Sequence, residues 1–258
     1  MIRSWARAGA VVGSLRSAFE AVMFPWSCVL CGFDGSPGAF CPRCLDALGD
    51  RAVKAGASVC PRCALPAGPH ANFRRGCGVC RGRPLGFDAA VALGPYEGTL
   101  RELCLRLKHR RNAWLAPPLC DLWAATRLDA IDRMALPTDA WVVPVPLHWR
   151  RHYGRGYNQA EALARELARR LNRPFQAPLR RVIHAPKLAT LSAPARARVL
   201  REAFRAPESS AIQGRTVLLV DDVLTTGATC GAAARALKLA GAKKVVVAVM
   251  ARTDRAWT

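Results

Sequence analysis

Acidic residues are scarce in this chain. Only 18 Asp and Glu stand against 39 Lys and Arg in 258 residues, a formal net charge of +21. Lysine is scarce too, at 6 of the 39 bases. A preference for Arg alongside abundant Ala and Gly is what a GC-rich genome writes, so the choice of base carries little functional information. The excess over acids is different, because a large positive field implies polyanionic partners or strong steering of phosphates. No single basic tail accounts for it: residues 1–90 hold 11 bases and 5 acids, residues 91–212 hold 21 and 10, and residues 213–258 hold 7 and 3. No run of 18 apolar residues exists, which excludes a transmembrane helix and stable membrane insertion. No export signal is evident and none is expected. Arg3, Arg7 and Arg16 bracket a short apolar stretch, Ala8 to Leu15, with no small-residue cleavage site after it. Val11, Val12, Leu15, Ala18, Phe19, Val22 and Met23 instead fall at helical spacing. Residues 1–25 are therefore expected to form an amphipathic helix packed on the body, with a membrane-surface role as the other reading, and the protein is expected to be cytoplasmic.

What the chain has in excess is cysteine. Eight of its 11 cysteines form four CxxC pairs: Cys28/Cys31, Cys41/Cys44, Cys60/Cys63 and Cys77/Cys80. A two-residue gap lets both sulfurs reach one ion from a tight knuckle, and four thiolates close a tetrahedral zinc site. The spacers of 9, 15 and 13 residues are rich in Gly, Pro and Arg. Such segments bury little surface and need the metal to fold. Residues 26–86 are thus expected to be a double zinc ribbon with two structural zinc ions. A disulfide framework would need an oxidising compartment, and thioredoxin-like pairs do not come four in a row. Which pairs share an ion is not legible: consecutive pairing is the expectation and an interleaved cross-brace the alternative. Cys104, Cys120 and Cys230 read as small buried hydrophobes, and His70 as a surface-loop residue. Arg43, Arg62, Arg74, Arg75, Arg81 and Arg83 decorate a ribbon whose default role is structural.

The most informative stretch is Val217-Leu218-Leu219-Val220-Asp221-Asp222-Val223-Leu224-Thr225-Thr226-Gly227-Ala228-Thr229-Cys230. Four apolar residues read as a buried parallel strand. Two carboxylates stand where that strand is expected to end, and Gly227 to Leu239 reads as the helix that follows. Ligands of open α/β sheets bind at the carboxyl ends of the strands. A Thr- and Gly-rich turn feeding a helix start offers free N–H groups, hydroxyls and the positive end of a dipole. Two acids beside a phosphate cup make sense only if the ligand also presents hydroxyls or a divalent metal. A sugar phosphate travelling with Mg²⁺ meets all three demands.

This segment resembles the phosphoribosyl diphosphate (PRPP) loop of the type I phosphoribosyltransferases. The resemblance implies that Asp221 and Asp222 engage the ribose 2′- and 3′-hydroxyls, directly or through metal-bound water. It implies that Thr225, Thr226, Gly227, Ala228 and Thr229 wrap the 5′-phosphate. The acid pair would also stabilise positive charge developing at C1′ as pyrophosphate leaves.

Upstream, Asp88 to Leu93 reads as a short strand, followed by a helix opened by Tyr96 and Gly98. Its apolar stripe is Leu100, Leu103, Cys104 and Leu107, and it leads to Lys108. A second helix is expected over Leu115 to Leu128, and a strand over Asp139 to Leu147 whose prolines stop pairing. His148 to Gln159 carries Arg150, Arg151 and Arg155 among glycines and aromatics, a cationic loop. Asn158, with Glu161 three residues on, reads as a helix cap, and Ala160 to Leu171 as an amphipathic helix. Residues 204–213 read as a linker into the strand at Thr216. Lys244 to Met250 reads as the last strand, and Gly241 as the C-cap of the helix before it.

CxxC pairs, a Val-Pro-Val-Pro strand, an Arg-rich Gly-Tyr-Asn-Gln loop and an acid-pair loop, in this order, resemble the ComF family. That resemblance implies an α/β fold with a type I phosphoribosyltransferase-like, mainly parallel sheet flanked by helices. A small N-terminal zinc-ribbon module precedes it, and residues 87–258 form the transferase domain (hood 87–138, core 139–258). It implies that Val143, Pro144, Val145 and Pro146 approach the diphosphate, and that Arg150, Arg151 and Arg155 close over it and neutralise departing pyrophosphate. Tyr157, Asn158 and Gln159 would order that loop, and Lys108 would end the hood helix. Implied ligands and partners are PRPP with Mg²⁺, single-stranded DNA, and competence or DNA-processing proteins. The segment from Pro186 through Arg196, Arg198, Arg201 and Glu202 to Phe204 departs from the family pattern, where Gln follows the Pro and Gly stands at position 202. If this segment helps hold an acceptor, the resemblance does not carry over the acceptor's identity.

No general base can be named, since His148 and His152 read as loop residues. Positioning and leaving-group electrostatics can carry such a transfer without one. Two readings follow: a PRPP-binding protein that assists handling of incoming single-stranded DNA, where Trp149, Tyr153 and Tyr157 could stack bases, or a phosphoribosyltransferase acting on a small-molecule acceptor.

Overall fold

The computed structural model describes residues 27–34, 39–48, 59–66, 73, 76–147, 156–182, 202–207 and 211–254. The chain parts into two compact units, Met1–Leu48 and Gly49–Thr258. The first two CxxC pairs therefore lie in one unit and the last two in the other.

Four strands of the second unit form a parallel sheet: β1 (Ala89–Pro95), β2 (Trp141–Pro144), β5 (Thr216–Leu224) and β6 (Lys244–Arg252), in the order β1-β6-β5-β2. The runs Val-Leu-Leu-Val in β5 and Val-Val-Val-Ala-Val-Met in β6 are fully buried, as strands covered on both faces must be. Residues 204–213 are not only a linker: Phe204–Arg205 (β4) pairs antiparallel with Arg180–Arg181 (β3).

Helices cover both faces. On one, α4 (Ala228–Leu239) packs Ala233, Ala234 and Leu237 in a single core with Val217, Leu219, Val245, Val247 and Val249. The alternate residues of those strands face the opposite way, where α2 (Ala116–Arg133) and α3 (Gln159–Leu171) bury Leu119, Trp123, Leu163 and Leu167. The helix α1 (Gly98–Leu107) buries Leu100, Leu103, Cys104 and Leu107, the stripe its periodicity predicts. A 3-10 turn, Arg110–Leu115, joins it to α2.

Several boundaries are local decisions. Asn158 caps α3 by accepting from the Ala160 N–H at 3.1 Å, while Glu161 turns outward to Arg165 at 2.8 Å rather than back to the cap. The amide of Asn158 also donates to the Val145 carbonyl at 3.2 Å, which locks the start of α3 to the exit of β2. Gly241 adopts φ +114° and ends α4 with a bond from Ala242 N–H to Leu237 O, a geometry that favours glycine. Helix α2 runs five residues beyond Leu128 because Ile131 is still buried. The largest difference from expectation is in β5, which continues through the acid pair to Leu224. Its partner β6 is long enough to keep pairing, with Asp221 opposite Val249 and Leu224 opposite Arg252.

Because all four strands point the same way, Pro95, Pro144, Leu224 and Arg252 end at one edge of the sheet. That edge is where an open α/β sheet holds ligands.

Candidate functional site

Side chains alternate across a strand, so the extension of β5 sends its two acids to opposite faces. Asp221 lies on the α4 side, where it accepts from Cys230 Sγ–H at 3.8 Å and from the Asp222 N–H at 2.9 Å. Asp222 lies on the α3 side, buried, accepting from Gln159 Nε2 at 3.3 Å and from the Val223 N–H at 2.9 Å. Burial, and then the neighbouring Asp222 charge, push the Asp221 carboxyl well above the usual carboxylate range. The pair thus favours anything that supplies positive charge or hydrogen-bond donors: a proton, a divalent cation or a sugar hydroxyl. On the α3 side, Gln159 Oε1 and the Tyr157 hydroxyl are buried without a hydrogen-bond partner. Burial and Asp222 push the Tyr157 hydroxyl up to about 12.

Next to the acids the chain turns. Thr225 is exposed, Thr226 half-buried, and Gly227 takes φ +69° as the N-cap of α4. A side chain at Gly227 would strain that left-handed backbone. The Ala228 N–H reaches Thr226 Oγ1 at a long 3.5 Å. Among the described residues, the N–H groups of Thr225, Thr226, Gly227, Thr229 and Cys230 find no acceptor. Unpaired donors at the positive end of a twelve-residue helix form a cup that could hold an anion. Across the sheet edge, Val145 continues the pairing of β2 by donating to Val220 O at 2.9 Å, which sets Val145 and half-buried Pro146 beside the acid-bearing strand.

The eight ribbon cysteines gather in consecutive pairs of pairs. Cys28, Cys31, Cys41 and Cys44 form one group and Cys60, Cys63, Cys77 and Cys80 another, with the sulfurs of each group within 4.8 Å of one another. Zinc ligated by four thiolates at about 2.3 Å needs S···S edges of about 3.8 Å. The observed separations of 3.7 Å (Cys31–Cys41), 3.7 Å (Cys60–Cys80), 3.6 Å (Cys63–Cys77) and 3.8 Å (Cys77–Cys80) fit that tetrahedron. Both groups could therefore bind zinc, and the interleaved cross-brace is not formed. Each group also holds one sulfur ready as thiolate. The hydrogen bond from Cys63 brings Cys60 down to about 4 against the opposing effect of burial. Burial raises Cys28, yet backbone N–H donors outweigh it and bring that thiol to about 6. The three remaining cysteines, Cys104, Cys120 and Cys230, are buried, and burial pushes each of them up.

The profile of the phosphoribosyl transferase domain matches residues 157–257. DNA utilization protein YhgH of Salmonella typhi is 36% identical over 204 residues, covering 79% of this chain and 88% of that protein. The YhgH protein of Escherichia coli K12 is 34% identical over 234 residues, 89% of this chain and 98% of the relative. Competence protein F of Haemophilus influenzae is 32% identical over 182 residues, 70% and 80% of the two chains. The chain belongs to the ComF family.

For a ComF-family chain, the structure brings together Asp221, Asp222, Val145, Pro146 and the run Thr225 to Thr229 at one sheet edge. Arg150, Arg151 and Arg155, the loop histidines and aromatics at 148–153, the helix of residues 1–25, His70, and most of the departing segment from Pro186 to Arg201 lie outside the described residues. Sequence reasoning missed the face-to-face split of the two acids, the orphaned Gln159 oxygen and the burial of Arg252. The split follows from the register of β5 against β6, which no local pattern announces. Arg252 is an arginine at the end of an apolar strand, a buried cation where solvent exposure is the default; that anomaly was the available signal. No described helix is long and apolar enough to cross a membrane.

Proposed function

We propose that this ComF-family protein binds PRPP with Mg²⁺ across the tip of β5 and assists the handling of single-stranded DNA in the cytoplasm. One observation carries the reading: a carboxylate pair that favours positive charge stands directly before a cup of unpaired N–H groups. In this reading the cup at Thr225 to Thr229 holds the 5′-phosphate and the acids take the ribose hydroxyls. Asp221 approaches from the α4 side and Asp222 from the α3 side. Val145 and Pro146 border the diphosphate, and Arg150, Arg151 and Arg155 close over it. Asp221 and Asp222 would hold Mg²⁺, which would supply charge neutralisation for the diphosphate. Zinc in the two cysteine groups is structural.

The DNA part rests on the +21 charge and on relatives named for DNA utilization and competence. Partners of this protein are then DNA-processing or competence proteins. Calorimetry with PRPP and Mg²⁺ tests the site. Binding by the wild type and its loss in Asp221→Asn/Asp222→Asn is the expected result, and equal binding by both proteins overturns the assignment. Affinity for single-stranded DNA should fall steeply between about 50 and 200 mM salt, as phosphate contacts require; a flat profile removes DNA from the proposal.

The joint presence of acid pair and cup also supports a second reading, turnover with a small-molecule acceptor. Release of pyrophosphate on adding acceptors separates the enzyme from the binding module.

A further inference from the structure

The group Cys60, Cys63, Cys77 and Cys80 does not stand apart from the phosphate cup. Its sulfur-bearing residues share one buried core with Cys230, Ala233, Ala234 and Leu237 of α4. Two direct struts run between them.

The first is Arg252, the last residue of β6, only 1% exposed. Its Nε donates to the Cys63 carbonyl at 3.0 Å, inside the metal knuckle. Its Nη1 donates to Leu224 O at 2.8 Å and Thr225 O at 2.5 Å, the last residue of β5 and the first of the cup. A guanidinium is a rigid planar fork, so a shift of the knuckle carbonyl is passed to the cup rather than absorbed.

The second strut is the chain that leaves Cys80. A Cβ on Gly86 would lie 2.4 Å from Gly231 O, and a Cβ on Gly231 would lie 2.3 Å from Leu85 O. Backbone therefore rests directly on backbone at the first turn of α4, the turn whose N–H groups line the cup.

We propose that Arg252 is a positioning residue that couples the second cysteine group to the cup, so that metal held by Cys60, Cys63, Cys77 and Cys80 and anionic ligand held by residues 225–229 each strengthen binding of the other. This rests on the reading of the cup as a PRPP site. Metal sets the knuckle that holds the Cys63 carbonyl. That carbonyl orients Arg252, and Arg252 holds the Leu224 and Thr225 carbonyls so that the following N–H groups converge. Coupling of this kind is reciprocal by thermodynamic necessity. The zinc module thereby acts as more than an attached ribbon: it sets the affinity of the transferase site.

The test uses the full chain in a Cys28→Ser/Cys31→Ser background, so that only the second group reports. Zinc-loaded protein is titrated with a zinc-selective chelator, with and without saturating PRPP and Mg²⁺. PRPP is expected to raise the chelator concentration for half-extraction about tenfold, in the lower part of the usual coupling range. In Arg252→Met and in Arg252→Lys the factor should fall toward one while zinc is still bound at one per chain. Amide exchange over residues 224–231 gives a reading that does not depend on PRPP. Extraction of zinc should accelerate exchange there, and zinc-loaded Arg252→Lys should already exchange fast. If the protein binds PRPP and half-extraction does not move, the coupling is refuted; if both Arg252 variants keep the full factor, the positioning role of Arg252 is refuted. If the zinc-loaded protein binds no PRPP, the reading of the cup fails, and exchange then decides the strut: unchanged exchange on metal extraction overturns it.

Discussion

The two cysteine groups have the same ligands and nearly the same spacing, yet they sit in different surroundings. In the first, Cys31 is exposed and Cys44 half-buried, in a unit whose described residues include a Phe33 that is 60% exposed. In the second, all four cysteines are buried in the core that also holds Phe87, Val245, Val247 and α4. A metal in the first group organises its own neighbourhood. A metal held by the second would sit in the core that also packs α4. Identical motifs can thus differ in what depends on them, because the dependence is set by packing and not by the ligand set.

The sharpest way to break the comparison is to remove each group in turn. Cys60→Ser/Cys63→Ser should lower the main unfolding midpoint by about 10 °C or more, since metal binding there is folding energy for the larger unit. Cys28→Ser/Cys31→Ser should move that transition by no more than about 2 °C. Scanning calorimetry reads both, and equal shifts would mean that the groups are equivalent after all.

A smaller effect tests the contact rather than the metal. Gly231→Ala forces a Cβ to 2.3 Å from Leu85 O and should cost about 2–3 kcal/mol, the upper part of the range for overpacking. Gly78→Ala lies within the second knuckle but meets nothing within 4 Å, so denaturant unfolding should barely register it.

Next comes pH. The raised Asp221 carboxyl means that the folded chain binds a proton more readily than the unfolded one there. Its contribution to stability is therefore fully present below the unfolded value near ~4 and is lost as pH rises toward the folded value. Asp221→Asn should raise the midpoint of the ligand-free protein at pH 8, with the gain shrinking as pH falls toward 5. A gain independent of pH would contradict the cause given. The same variant should bind PRPP poorly, so stability and ligand affinity move in opposite directions.

The smallest effect sets the floor. Glu102→Gln removes an exposed i,i+4 pair with Arg106 and should cost about 0.3–0.5 kcal/mol.

Much of the site was legible because its signals are short-range. Val-Leu-Leu-Val announces a buried strand, Thr-Thr-Gly before an Ala-rich stretch announces a cup and a helix, and Asn158 announces a cap. Consecutive CxxC pairs were expected to share an ion, and their sulfurs do gather that way. The end of β5 was misjudged because the expectation stopped the strand at its first polar residue. Pairing with β6 carried it four residues further and so divided the acids between two faces.

By itself, then, the chain's order of residues marked out the candidate groups: the acids, the hydroxyl-rich turn, the eight thiols and the surplus of arginine. These follow from local spacing and side-chain type, which need no partner to be read. Only the tertiary structure decided where those groups point and what they rest on: Asp221 toward Cys230, Asp222 toward Gln159, Arg252 between Cys63 and Thr225, and Gly86 against Gly231. Such pairings join residues 9 to 189 positions apart, and strand register and close packing select them.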